Sequence, residues 1–285
     1  MINDCYHLCT TALKDAVLAK DREDFLFLWN CIAKFAVLQE IIIYGLCLMS
    51  NHFHILLSAD PATIEVFFSN IRIQLGKYSK KKYGISSGGH LEYKLFPVKE
   101  RKGFCNELAY ILRNPYKSRI DSPITYSWSS GLVYFNRSKR ICRPVSKMNV
   151  RERHAFLHTR KVLPEHLFIS PEGMIVPESF IDVYFCEKMF GNSAVAFFDL
   201  LKRWNLEDIV DESHGEEIND PFSDEEVAAG INELSHDYFN GLPAEKMDTK
   251  TLGRLVRRVY YRYGSSRAQL QRLFPVDTYF LDKIL

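Results

Sequence analysis

Two histidines separated by one residue, His52 and His54, lie on either side of Phe53 in a strand-like stretch of sequence. Because successive side chains of a β-strand point to opposite faces, this spacing predicts both imidazoles on one face and Phe53 on the other. Two neutral imidazoles side by side form half of a divalent metal site. A pair of histidines on a solvent-facing strand has the same spacing, so the pattern has little specificity by itself.

A tyrosine and an asparagine four residues apart, Tyr110 and Asn114, precede Pro115 in a stretch with helical periodicity. Side chains at this spacing stand one above the other on a helix. A phenol can attack phosphorus as a covalent nucleophile, and an amide oxygen suits a hard divalent cation. One helix flank could therefore supply a nucleophile and a third metal ligand. Alternatively, Tyr110 packs half-buried and Asn114 caps the helix before Pro115.

The segments around these residues resemble those of a known enzyme family. Residues 48–57, Leu-Met-Ser-Asn-His-Phe-His-Ile-Leu-Leu, closely resemble the Met-Pro-Asn-His-hydrophobic-His-Leu-Leu signature of HUH single-tyrosine transposases, of the insertion-sequence-200-like superfamily. Residues 110–115 and 126–130 resemble the Tyr-Ile-x-x-Asn-Pro and Trp-Ser-Ser segments of the REP-associated branch. Similar tripeptides stand at 6–8 and 89–91. The resemblance covers about residues 1–140.

This resemblance implies a ferredoxin-like HUH nuclease fold that cuts and rejoins single-stranded DNA, usually at a hairpin. His52 and His54 match the HUH ligands, Asn114 matches the third ligand, and Tyr110 matches the nucleophile. A Mg²⁺ or Mn²⁺ ion would polarise the scissile phosphate while Tyr110 attacks, leaving a 5′-phosphotyrosine link and a free 3′-OH. A monomer and a homodimer that exchanges Tyr110 between subunits remain alternatives.

Periodicity along the first half of the chain predicts the elements that must position these residues. The predicted order is strand, helix, two strands joined at Ser50-Asn51, helix, strand and helix, over residues 6–13, 21–39, 40–50, 52–58, 61–82, 90–98 and 103–114. This order is typical of an α+β fold, in which helices pack on a mostly antiparallel sheet.

Composition shifts divide the chain into four parts. We expect a catalytic domain over 1–140, a small α/β accessory unit over 145–205, an acidic linker over 206–226 and a helical module over 227–285. In the linker, ten of 21 residues are Asp or Glu and none is Lys or Arg, as in an exposed linker or a solvated helix start.

The C-terminal module has the pattern of a helix-turn-helix DNA reader. Residues 249–273 hold seven basic residues and no acidic one, with an apolar stripe at Leu252, Leu255, Val256 and Val259. Gly264 is expected to end the first helix, and Ser266 with Gln269 to form a capping box for the next. The residues predicted to be exposed for DNA binding are Arg254, Arg258, Arg267, Gln269 and Arg272. A solvated basic helical hairpin is the alternative.

Basic residues also surround the proposed nucleophile. Lys80, Lys81 and Lys82 end one predicted helix with Tyr78 and Tyr83 interleaved, as in a track for single-stranded DNA. Arg113 and Lys117 lie beside Tyr110 in sequence and complete the predicted DNA-binding set. A solvated lysine face explains the first cluster nearly as well.

The formal net charge of +2 conceals these contrasts. Seven cysteines without a Cys-x-x-Cys pair exclude a disulfide framework or zinc knuckle, and no signal peptide or membrane span is recognisable. We expect a cytoplasmic, nucleoid-associated protein with DNA as partner and no membrane contact. Two other functions remain open: a domesticated, non-catalytic DNA-binding regulator, and a His-x-His metallohydrolase, for which further ligands are lacking nearby.

Overall fold

The computed structural model describes residues 4–10, 18–84, 91–138, 140–203, 206–214, 222–263 and 265–285. The chain divides into two compact units, residues 1–203 and 204–285. This division differs from the expected one, because residues 145–203 pack in the same unit as the predicted catalytic domain. The Gly89-His90 pair and Gly264, both used in the sequence analysis, lie outside the described residues.

The first unit is built on a four-stranded antiparallel sheet. Its strands, in chain order, are β1 (Cys5–Thr10), β2 (Ile42–Leu48), β3 (Phe53–Ser58) and β4 (Tyr93–Pro97), and their order across the sheet is β2-β3-β1-β4. The predicted hairpin is confirmed: β2 and β3 pair antiparallel, and the N–H of Met49 donates to the carbonyl of His52 at 2.8 Å. An α+β class with an antiparallel sheet is therefore confirmed.

Three long helices accompany the sheet: α1 (Arg22–Leu38), α2 (Pro61–Tyr83) and α3 (Arg101–Lys117). Asp21 and Asp60 cap the first two through side-chain hydrogen bonds, and Pro61 stands in the first turn of α2, where its missing N–H costs nothing. The helix α2 ends at Gly84, which adopts a φ of 75°. Because glycine adopts this left-handed conformation without strain, the helix ends there.

The helix α3 buries the face predicted for it. Its fully buried apolar side chains include Phe104, Leu108, Ile111 and Leu112. The predicted end at Asn114 is wrong, since the helix continues through Pro115 to Lys117. The proposed nucleophile and third ligand therefore lie inside the helix.

Residues 140–203 contain short elements: β5 (Arg143–Pro144), α4 (Val150–Leu157), β6 (Phe168–Ile169), α5 (Val183–Met189) and α6 (Ala194–Leu201). Buried polar side chains of α1 join this region to the sheet module. Trp29 donates to the carbonyl of Ile175 at 2.9 Å, and Lys34 donates to that of Leu157 at 3.0 Å. Sequence composition does not reveal such long-range contacts, which place residues 145–203 in one compact unit with the sheet.

The second unit consists of helices α7 (Leu206–His214), α8 (Asp224–Phe239), α9 (Thr249–Tyr263), α10 (Arg267–Leu273) and α11 (Thr278–Ile284). Part of the expected acidic linker is thus the helix α7, with Leu206 and Val210 buried. The acidic residues 224–226 begin α8, after a capping box between Ser223 and Glu226. The predicted stripe of α9 is confirmed, because all four of its apolar side chains are buried in the core of this unit.

No described helix is both long and apolar enough to cross a membrane. All seven cysteines are free thiols, as the sequence indicates.

Candidate active site

Strand register places three side chains with metal-binding atoms on one face of the sheet. Cys9 of β1 lies opposite His54 of β3, and His7 is two residues before Cys9, so all three point to the same side. Nε2 of His7 lies 2.9 Å from Nδ1 of His54, and Sγ of Cys9 lies 4.0 Å from Nε2 of His54. The ligand atoms of this group are close enough together to hold a metal ion.

The other predicted histidine lies beside this group. His52 immediately precedes β3, and its ring centroid is 4.9 Å from that of His54, with the rings nearly perpendicular. Phe53 points to the opposite face, where it is fully buried and contacts Phe68. The predicted arrangement, two imidazoles on one side and Phe53 on the other, is therefore present.

The helix α3 covers this face of the sheet and brings Tyr110 to the histidines. The ring centroid of Tyr110 lies 5.9 Å from that of His54 and 5.8 Å from that of His7, edge-on in both cases. Nζ of Lys117 lies 5.7 Å from the centroid of the Tyr110 ring. A phenol, two imidazoles and an ammonium group thus converge from sequence segments far apart in the chain.

Asn114 lies one turn beyond Tyr110 and also faces the histidines. Its Nδ2 donates to the main-chain carbonyls of Tyr110 and Ile111, at 3.1 and 3.3 Å, and its side chain forms a hydrogen bond with His52. The alternative in which Asn114 caps the helix is wrong, because the C-cap is Ser118. Since Nδ2 donates to the helix, Oδ1 is the atom that contacts His52, and it is the ligand atom that Asn114 could offer to a cation.

Electrostatics favour a neutral His52. Burial lowers the pKa of its imidazole; the hydrogen bond with Asn114 raises the pKa by less, and the charge of Lys117 lowers it further. A neutral imidazole keeps a lone pair for a metal ion. Two imidazole nitrogens and an amide oxygen form a donor set that suits Mn²⁺, and Mg²⁺ with water as additional ligand. The residues present therefore fit a divalent cation.

Sequence analysis missed two buried residues behind His54. His7 is 1% exposed and Glu107 is 4% exposed, and Nδ1 of His7 lies 2.9 Å from a carboxylate oxygen of Glu107. One signal was available for Glu107, because it precedes Tyr110 by three residues and so shares its helix flank. His7 stands in the tripeptide at 6–8, but its contact with His54 could be recognised only once β1 was known to pair with β3.

The predicted DNA-binding residues of the first unit occupy different environments. Lys80, Lys81 and Lys117 are exposed. Lys82 is held by acidic residues at the start of α1: its Nζ lies 2.8 Å from Asp21 and 2.7 Å from Asp24. Burial would lower the pKa of Lys82, but hydrogen bonds from its ammonium to these carboxylates outweigh burial and raise the pKa.

Two further side chains predicted to contact DNA through stacking or charge are engaged within the first unit. Tyr78 stacks on Phe27, with ring centroids 3.9 Å apart. Arg113 is 5% exposed and donates to the main-chain carbonyl of Arg203. The ring of Tyr78 and the guanidinium of Arg113 are thus both engaged with other residues of the protein, whereas DNA binding would require them to be exposed.

In the second unit, Arg254 and Arg258 are exposed on α9, and Arg258 stacks on the Tyr238 ring at 3.9 Å. Arg267 pairs with Asp282, and Arg272 pairs with Asp224 at 2.7 Å.

The predicted exposure of Gln269 is wrong. Gln269 is 1% exposed, and its Nε2 donates to the carbonyl of Phe222 and to Asp224, at 2.8 and 3.0 Å. Ser266 caps α10 through the main-chain N–H of Gln269, so half of the expected capping box is present. The side chain of Gln269 joins α10 to the start of α8 instead of completing the box, a contact that the local motif cannot predict.

Comparison with known proteins gives a partial structural similarity and no match by sequence. No protein-family model matches the chain, and no curated protein matches it. A solved structure described as a REP-associated tyrosine transposase bound to a REP hairpin is similar over 45% of this chain and 77% of its own, with 14% sequence identity and a TM-score of 0.37. A TM-score of this size is too low to establish a shared fold.

Proposed function

We propose that the first unit is an HUH-type transposase domain that cuts and rejoins single-stranded DNA through Tyr110. The observation that carries this proposal is the convergence of Tyr110 and Asn114 on α3 with His52 and His54 on the hairpin, about 60 residues away in sequence. Neither segment is specific alone. Their meeting at one face of the sheet supports the assignment of nucleophile and ligands.

The architecture around the site supports the same proposal. The first unit has the element order β1-α1-β2-β3-α2-β4, and the order across its sheet is β2-β3-β1-β4. This order is that of a ferredoxin-like βαββαβ unit. In such a unit the two central strands, here β1 and β3, carry side chains to the middle of one face. His7, Cys9 and His54 occupy that position.

In the proposed reaction, the phenolic oxygen of Tyr110 attacks the scissile phosphorus, and the bond from phosphorus to the 3′-oxygen breaks. The phenol loses its proton to solvent, and the departing 3′-oxygen gains one. A tyrosine phenol normally ionises near pH ~10, so the proton must be lost as the bond to phosphorus forms. Rejoining reverses these steps, and because the phosphodiester is conserved in the tyrosine link, it requires no nucleotide triphosphate.

His52, His54 and Asn114 would hold a Mg²⁺ or Mn²⁺ ion, which when bound supplies Lewis-acid polarisation of the phosphate. The ring of His54 is buried, and the amide of Asn114 is held by its own helix. Ligand side chains held in fixed orientations would keep the ion in one position, so that a bound phosphate would meet Tyr110 in a defined place. Tyr110 lies beside histidines of its own chain, as cleavage by a monomer would require.

A single-stranded, hairpin-forming DNA is the substrate that this proposal requires. The exposed Lys80 and Lys81 lie at the end of α2, and the exposed Lys117 lies beside Tyr110. Exposed ammonium groups can neutralise any phosphate of a DNA strand, independently of its sequence. Because this releases bound counterions, we expect the affinity for DNA to fall as the salt concentration rises.

The experiment is to incubate the full chain with hairpin oligonucleotides and Mn²⁺ and to separate covalent adducts on denaturing gels. An adduct should form with the wild type and be absent from Tyr110→Phe. Tyr116→Phe is the matched control, since Tyr116 lies on the same helix but is 56% exposed. Equal adduct from Tyr110→Phe and the wild type would refute the assignment of the nucleophile.

The second unit supports a second candidate, a DNA-binding regulator that needs no cleavage. The observation that favours it is the pair of short helices α10 and α11, joined by the four residues 274–277, next to the exposed arginines of α9. Two helices joined by a turn of this length are typical of helix-turn-helix modules. This candidate places the motif one helix later than the sequence analysis, which used α9 and α10.

The two candidates differ in what DNA binding requires. A regulator binds DNA without metal, independently of Tyr110, and loses affinity when Arg254 and Arg258 are both replaced by alanine. Fluorescence anisotropy at several salt concentrations measures this loss. Robust cleavage by the wild type would exclude a purely regulatory function.

A further inference from the structure

Two buried ionisable side chains, His7 and Glu107, lie behind His54 and take no part in the reaction proposed above. Nδ1 of His7 lies 2.9 Å from a carboxylate oxygen of Glu107, and Nε2 of His7 lies 2.9 Å from Nδ1 of His54. All three side chains are less than 5% exposed. They form a continuous line from the carboxylate on α3, through the imidazole on β1, to the imidazole on β3.

The chemistry of the carboxylate and the two imidazoles indicates which atom carries the proton in each of the two contacts. An ionised carboxylate only accepts hydrogen bonds, so it favours a proton on the Nδ1 of His7 that faces it. In a neutral imidazole the second nitrogen is then an acceptor, so Nε2 of His7 accepts from Nδ1–H of His54. By the same rule, Nε2 of His54 carries a lone pair. This is the nitrogen on the side of Cys9, away from His7.

We propose that Glu107 and His7 are positioning residues that fix His54 in its Nδ1–H tautomer and direct Nε2 of His54 to a divalent cation. This proposal rests on the proposed function, because it takes His54 as a metal ligand. Histidine ligands typically donate their other N–H to a carboxylate or carbonyl, which fixes the tautomer and ring orientation. Here the carboxylate acts through an intervening imidazole.

The line of contacts also connects the two elements of the proposed site. Glu107 precedes Tyr110 by three residues, so carboxylate and phenol lie on one flank of α3. The ring of His7 contacts the rings of Tyr110 and His54, with centroid distances of 5.8 Å and 5.1 Å. The contact between Glu107 and His7 therefore holds the helix of the nucleophile against the strand of the ligand.

The first test measures the tautomers directly, without metal or DNA. The imidazole nitrogens of the ¹⁵N-histidine-labelled full chain are observed by NMR at about pH 8, where an ordinary imidazole is neutral. Signals of His54 are assigned by comparison with His54→Gln. We expect the Nδ1–H form at His54 and His7 in the wild type, and a mixture of forms at His54 in Glu107→Gln. An Nε2–H form of His54 in the wild type would overturn the proposal.

The second test measures Mn²⁺ binding by calorimetry. Glu107→Gln and His7→Phe should each raise the Kd for Mn²⁺ by about 10–100-fold. Glu100→Gln, an exposed substitution before the first turn of α3, should leave the Kd unchanged. Circular dichroism checks that each variant is folded, and the tautomer measurement on the wild type needs neither the Glu107 nor the His7 variant.

The outcomes separate this proposal from the proposed function. Unchanged Mn²⁺ affinity in folded Glu107→Gln and His7→Phe would overturn the positioning role and leave the metal site standing. A wild-type chain whose Mn²⁺ binding does not depend on His52 and His54 would overturn both.

Discussion

The side-chain amide of Asn114 donates a hydrogen bond to the main-chain carbonyl of Ile111, at 3.3 Å. In a regular α-helix this carbonyl accepts from the N–H of residue 115, but Pro115 has no N–H. Asn114 therefore satisfies the carbonyl that the proline leaves free, and α3 continues for two residues beyond Pro115. The Asn-Pro pair holds Nδ2 of Asn114 against the helix and so orients Oδ1.

Replacing Pro115 by alanine should stabilise the fold and impair the site. Pro115→Ala supplies an N–H to Ile111, so the free energy of unfolding should rise by about 1–3 kcal/mol, measured in urea. The rate of adduct formation should fall, because Asn114 loses a partner that fixes it. Pro61→Ala, at a first-turn position where proline is well tolerated, is the control. A more stable variant with an undiminished rate would contradict this role of the pair.

Replacing Asn30 by leucine should destabilise the first unit. Nδ2 of Asn30 donates to the carbonyls of Phe156 and Gly173, at 3.1 and 2.7 Å, and its Oδ1 accepts from the N–H of Ile175 at 2.8 Å. Asn30→Leu leaves three main-chain groups without this partner, at a cost of about 1–3 kcal/mol for each that stays buried and unpaired.

Urea unfolding should show a loss of at least about 2 kcal/mol for Asn30→Leu. The exposed Asn232→Leu should change stability by less than about 0.5 kcal/mol. Equal stability of Asn30→Leu and the wild type would show that residues 156–175 are not held through this side chain.

These contacts also explain what sequence analysis could and could not predict. Period-two and helical patterns depend on local sequence, and they predicted the sheet hairpin, the long helices and the meeting of His52 with His54. The inclusion of residues 145–203 in the first unit depends on single buried side chains such as Asn30. The roles of His7 and Gln269 depend on which distant elements lie next to each other, and the local sequence around each residue does not predict this.

Gly45 of β2 sets how closely α3 approaches the sheet. A Cβ atom at this position would overlap Cδ1 of Leu108 on α3. Gly45→Val should therefore displace α3, cost about 1–3 kcal/mol in stability and slow adduct formation, since Tyr110 moves with the helix. Leu108→Ala, added to Gly45→Val, should restore part of the rate by making room.

Comparison of the single and double variants in the adduct assay tests this coupling. Gly103→Val is the control, since a Cβ there meets only Val98 at an ordinary contact distance of 3.9 Å. Purely additive losses in Gly45→Val with Leu108→Ala would contradict the steric explanation.

The pair of Asp224 and Arg272 should make the second unit sensitive to acid. Hydrogen bonds from Arg272 and Gln269 lower the pKa of Asp224 to about 2. Because this pKa is lower in the folded state than the usual ~3.9, the pair stabilises the fold above pH ~4, and the contribution is lost as pH falls to about 2.

Thermal unfolding of the wild type and Asp224→Asn should therefore differ between pH ~7 and ~4, with the gap closing between pH ~4 and ~2. The gap should be small, since the pair is partly exposed. Glu225→Gln, in the same turn of α8, should show no such change. A gap that stays constant down to pH ~2 would contradict the role of Asp224 ionisation.

The central claim is that Tyr110 becomes covalently linked to DNA, and mass spectrometry of the digested adduct tests it most directly. The wild-type chain is incubated with a hairpin oligonucleotide and Mn²⁺, treated with nuclease and protease, and its peptides are sequenced. We predict a nucleotide-modified peptide with the phosphate on Tyr110 and a free 3′-OH on the released strand. Cleaved DNA without any protein link, or a link to another residue, would contradict the account.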